Sequence, residues 1–330
     1  MPRAKTAANG VLYYEAGQDY QEMTELTDSG DQTTFQSDDS FWSDADGYEP
    51  TVRPNGLVSG GTVSVADSGS NDVVDIAALT CYLAGTLTSV SASTDFDISR
   101  GTGDGYKVCS ITVTSAGALA EVEGTEGTEF SETRDANGGP PLIPVGSIEI
   151  AQVRLDSTSA AAITASEIKQ VVGTHCERYD YPLWDIDYTN GEVAFLAALS
   201  AIHTGSAAKK VYAEYYTPTW SEVPSAYDFV PPENTHSVSS EQVYGGTVGS
   251  SSKSLGQGSF SCKLQTGVDD NILAAQDDTR WFKFLPNRSV TGKYVACQGV
   301  VGISRQFPAG TSIQADCTIS ASEAATNITS

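Results

Sequence analysis

The chain has 330 residues, room for two domains or one elaborated domain, and 39% of them are hydrophobic. Its 42 acidic and 18 basic residues give a formal charge of −24. No basic footprint is left for stable phosphate binding, which argues against a nucleic-acid-binding enzyme.

Frequent Gly, Ser, Thr and β-branched residues favour a mainly β protein with many turns and a limited core. Met1-Pro-Arg-Ala-Lys5 leads into small and polar residues, so no signal peptide is expected and the protein is expected to stay in a cytoplasm. No run approaches the ~20 apolar residues of a membrane helix.

Residues 1–50 open with the apolar stretch Gly10-Val-Leu-Tyr-Tyr14, then turn acidic, with eleven carboxylates against Arg3 and Lys5. This composition suits an arm or loop that orders on contact. Tyr13, Tyr14, Phe41 and Trp42 are its candidate anchors. Pro50 and Pro54 mark a boundary.

From about Gly61 to Tyr216 short strands alternate with loops. Cys109, Ile111 and Val113 alternate with polar residues, and Val193, Phe195, Ala197 and Leu199 recur at every second position. The Glu121–Glu129 stretch predicts an exposed loop, and Ala162–Val172 a short helix. A second boundary falls within Tyr216–Pro224.

Beyond it, Gly258–Leu264 and Arg280–Phe284 predict strands. Val268–Asp277, with acids in its first turn, predicts a helix. The strongest signal is the closing hairpin, Lys293 to Ser320. Ile313, Ala315, Cys317 and Ile319 alternate with Ser312, Gln314, Asp316 and Thr318, and Phe307-Pro-Ala-Gly310 supplies the turn. Ala321–Ser330 is expected to be loose. Seven bases between Lys253 and Arg305 oppose the acidic start, a distribution that suits head-to-tail association.

Chemistry-bearing patterns are sparse. The six cysteines form no C-x-x-C pair and suit reduced core thiols. His175, His203 and His236 lie too far apart for a zinc motif. Ser250-Ser-Ser-Lys253 matches S-x-x-K formally, but it lies in a flexible polar stretch without companion motifs. Asp95-Phe-Asp97 has calcium-like spacing, with Arg100 and Tyr106 where such a loop needs Gly and Glu. Asp185-Ile-Asp187 is a carboxylate pair in a chain full of carboxylates. The residues therefore point to no enzyme, cofactor or metal site.

The C-terminal part resembles the major tail (tail tube) proteins of long, flexible-tailed bacteriophages, the Mu-like ones among them. The likeness rests on Gly258-Ser-Phe260, the short helix, the Trp/Phe strand, Gly292-Lys-Tyr-Val and the Phe307–Ile313 turn. Leu142–Val153, Asn190–Phe195 and Val211–Tyr216 also look like phage structural segments. The resemblance implies a tail-tube β-sandwich or barrel with one packed helix, built from residues 217–330 and part of 1–50. Residues 51–216 would be an inserted β-rich outer domain.

It further implies hexameric rings that stack into the virion tail tube and conduct the genome during ejection. Assembly would occur in the host bacterial cytoplasm, and a tape measure protein and a tail terminator would be partners. Tyr13, Tyr14, Phe41, Trp42, Phe307, Ile313 and Ile319 are the candidate interface residues. DNA would pass an acidic wall without stable binding, and no membrane is involved. A tail fibre or receptor-binding subunit and an acidic carbohydrate-active enzyme are the rival readings.

Overall fold

The computed structural model describes residues 9–199, 201–244 and 246–329. The Met1–Lys5 segment lies outside them. The described chain is mainly β. Its helical content is limited to short 3-10 turns such as Ala45–Gly47, Thr204–Ser206 and Asn271–Ala275. No helix among the described residues is long and apolar enough to cross a membrane.

The chain divides into two compact units. One comprises Met1–Tyr20, Trp42–Glu49 and Tyr216–Ser330; the other comprises Gln21–Phe41 and Pro50–Tyr215. We call them the terminal and middle units.

The terminal unit is an antiparallel sheet. In spatial order its strands are Tyr227–Val230, Gly258–Lys263, Gln314–Ser320, Lys293–Gln306, Thr279–Leu285 and the start of Val11–Glu25. Register pairs such as Phe260 with Cys317, Val301 with Ile319 and Phe282 with Cys297 line up the apolar alternation. In Gln314–Ser320 every second residue is buried, as the alternation predicts. Leu12, Tyr14, Phe260, Phe282, Val301 and Ile319 share one core.

Three local expectations change here. The first residues are a sheet strand rather than an arm, because Val11, Leu12 and Tyr14 pair with and pack behind Thr279–Leu285. The tail is not loose, because Thr326–Thr329 pairs with Lys293–Ala296. The helix expected over 268–277 contracts to the five-residue 3-10 turn Asn271–Ala275, which buries Ile272 and Ala275. Asp270 turns back to accept the N–H groups of Gln265, Thr266 and Gly267. It therefore caps the preceding loop instead of the helix.

The middle unit consists of small antiparallel sheets. Lys107–Val113 is buried along its whole length and pairs with Leu119–Glu123 on one side and Ile148–Leu155 on the other. Ile111, Val113, Ile150 and Val153 join Val74, Ile76 and Cys81 in its core. Part of the expected 121–129 loop is thus strand. Glu123 pairs with the buried Lys107, and Glu126 accepts the N–H groups of Thr102, Gly103 and Asp104.

The expected helix at 162–172 is also absent. Glu167 closes a turn on the Thr164 N–H, and Ile168 pairs with Val153.

Residues 21–41 belong to the middle unit rather than to a terminal arm. Thr34–Gln36 pairs with Glu192–Ala194, and the Phe35 ring meets Phe195 edge-on at 5.5 Å. The pairing partner lies far away in sequence, and no local period announces it.

Candidate assembly surfaces

A two-stranded hairpin stands out in the terminal unit. Asn234–Val243 pairs with Gly246–Leu255 in an unbroken register from Asn234–Leu255 to Val243–Gly246. Every described side chain from Asn234 to Ser254 is exposed. Neither face is apolar, so neither has a core to join.

The hairpin holds together through its backbone ladder and rows of hydroxyls. Thr235 meets Ser254 at 2.8 Å, Ser237 meets Ser252 at 2.6 Å and Ser239 meets Ser250 at 2.7 Å. Its base is tied down where the Ala325 N–H donates to Pro232 O and the Gly256 N–H to Glu233 O. Glu241 and Lys253 cancel, so this ribbon is neutral in a chain of charge −24.

The sequence reading missed it, because a run of serine and glycine reads as loop. Ser250–Lys253 is strand, not flexible loop. The signal available was the matched Ser/Thr alternation on both sides of Gly245–Gly246.

A two-stranded ribbon is marginal alone in water. Its outer edges present unpaired N–H and C=O groups, a template for another strand.

A second surface is the tip of the closing hairpin. Phe307 is 60% exposed, and Val268 beside it is more so. Gly267 lies under the ring. A Cβ there would come within 2.7 Å of Phe307 Cε1 and 3.0 Å of Ile313 Cγ2, and its φ of +72° suits glycine alone. Arg305 Nη1 donates to Gly267 O at 2.8 Å and locks the arrangement.

The candidate interface residues divide. Phe307 is available to a partner, and Tyr13 and Ile313 are partly buried. Tyr14, Phe41, Trp42 and Ile319 are buried within the chain and offer a second subunit no surface. The reason is visible at Trp42. Trp281 Nε1 donates to its carbonyl at 2.9 Å, and the neighbouring Ser43 hydroxyl donates to the buried carboxylate of Glu15. The aromatic anchors serve intrachain packing.

The bases of the C-terminal third are partly engaged. Arg280 pairs with Asp278 and Arg288 with Glu222. Lys283 lies between the rings of Tyr294, at 4.2 Å, and Trp220, at 5.6 Å.

The remaining singled-out groups have local partners. Asp95 accepts the Ser68 hydroxyl, and its own N–H donates to Asp75. Asp187 closes a turn on Thr189 and Asn190. His203 Nε2 lies 3.1 Å from Ser147 O. Among the described residues no cluster of three or more His, Cys, Asp or Glu side chains could hold a metal ion. No family model matches the chain, and no curated protein matches it.

Proposed function

We propose that the chain is a structural virion protein whose copies close into hexameric rings and stack into a phage tail tube. The observation that carries this reading is the exposed, neutral hairpin of 234–255. A ribbon with no core of its own gains stability by lending its edges to a sheet of another copy.

The closing hairpin adds a hydrophobic contact at its tip through Phe307. Both surfaces belong to the terminal unit, which also contains the segments that resemble tail tube proteins. In this reading the middle unit decorates the tube, and tape measure and terminator proteins meet its ends.

The test is negative-stain microscopy of purified protein over rising concentration and salt. Six-fold rings and tubes are the expected result. Monomers or trimers at every condition would overturn the reading, and trimers would favour a fibre subunit.

A further inference from the structure

The middle unit contains a cavity of about 160 Å³ that plays no part in assembly. Glu149, Cys176, Glu177, Tyr181, Leu199 and Lys209 line it. Lys209 is its unusual member. The side chain is 4% exposed, and Nζ donates to Arg178 O at 2.5 Å.

Two other lysines of this unit have carboxylate partners: Lys107 pairs with Glu123 and Lys210 with Glu25. Among the described residues no carboxylate lies within ion-pair distance of Lys209. A buried ammonium without a close counter-ion is costly, and a hydrocarbon side chain would fill the space at lower cost. Burial holds the amine below the usual lysine range, against the pull of Glu177, Cys176 and Asp180.

Tyr181, Pro182, Leu199 and Ile202 supply apolar lining. The Tyr181 ring lies on Gly173, where a Cβ would come within 2.3 Å of Tyr181 Cε1. A buried amine with no carboxylate at ion-pair distance and hydrocarbon beside it suit a small carbonyl compound with an apolar tail.

We propose that this cavity binds a short-chain aldehyde or ketone as an imine on Lys209 Nζ. The bond to Arg178 O occupies one N–H and leaves the lone pair free to attack the carbonyl carbon. The carbonyl oxygen takes up a proton, giving a carbinolamine. Loss of the hydroxyl as water then forms the C=N bond, and the amine proton goes to the solvent or to Glu177. One water leaves for each imine formed, and nothing is oxidised or reduced. At ~30 Å³ per water-sized group the cavity admits about five heavy atoms, the size of butanal.

The proposal rests on the middle unit alone and does not depend on tube formation. Full-length protein is incubated at pH 7 with butanal and cyanoborohydride, then digested and mapped by mass spectrometry. Lys209 is expected to be alkylated faster than the exposed Lys263, because burial holds its amine below the usual lysine range.

Leu199→Trp, which fills the cavity, should slow labelling of Lys209 and leave Lys263 unchanged. Equal or slower labelling of Lys209 in the wild-type protein overturns the proposal, whether or not the variant folds.

Discussion

Glu15 is a carboxylate enclosed by protein. The Ser43 hydroxyl donates to one oxygen and the Trp281 N–H to the other, at 3.1 Å for the latter. Burial pushes its pKa above the usual carboxylate range, and the donors from Ser43 and Trp281 and the charge of Arg280 only partly offset this. Above the ordinary carboxylate pKa the folded state therefore holds a proton that the unfolded state has released. Stability from this group is fully present below the unfolded pKa and is lost as pH rises through the folded one.

Glu15→Gln keeps an acceptor for Trp281 and cannot ionise. Its stability relative to the wild type should increase as pH rises from 4 to 7, read as urea midpoints. A difference that stays flat with pH would refute the assignment. Glu15→Ala leaves the Trp281 N–H without its acceptor and should cost about 1–3 kcal/mol at pH 4, with the cost shrinking as pH rises and the wild-type carboxyl ionises.

The hairpin of 234–255 and the strand Thr34–Gln36 behave in opposite ways as elements. Among its described side chains the hairpin contributes none to either core, so replacing 235–254 by a short Gly/Ser turn should leave the monomer's melting temperature within a few degrees. The same change should abolish ring formation. Rings formed by the truncated protein would show that another surface drives assembly.

Thr34–Gln36 is only three residues long but carries Phe35, which is 2% exposed against Phe195. Phe35→Ala should cost about 3–5 kcal/mol, seen as a lower thermal transition. A loss under about 1 kcal/mol would mean that residues 21–41 only lie against the middle unit and do not complete its core.

For the whole molecule, charge sets the conditions of assembly. Each copy adds −24, so the proposed rings would form against mutual repulsion and would depend on apolar and β-edge contacts. Salt shortens the range of that repulsion to about 8 Å at physiological strength. Raising salt from about 10 to 300 mM should therefore promote tubes, followed by light scattering. Dissolution of tubes over that range would indicate that ion pairs between copies dominate.

In the proposed tube the same charge would bear on a genome in the channel. Each phosphate neutralised by Lys or Arg adds counterion-release affinity, and a wall that gained it would hold DNA in place. Double-stranded DNA should show no submicromolar binding in a low-salt gel shift. Tight binding would contradict an acidic channel.

What could be read without the fold was set by short-range chemistry. The mainly β character followed from composition, and the closing strands followed from the alternation of Ile313, Ala315, Cys317 and Ile319, because a sheet with one buried face imposes a period of two. Charge was equally legible, since it needs no partner. What depended on distant partners was not. Phe35 looked like a residue in an acidic arm until Val193 paired with it. Asp269 and Asp270 looked like the first turn of a helix until Asp270 folded back onto Gly267. The serine ribbon looked like a loop, because hydroxyl ladders bury nothing and so leave no hydrophobic period. Lys209 looked like any lysine. Only tertiary structure withdrew it from water and left it without a carboxylate, and no periodicity encodes that environment.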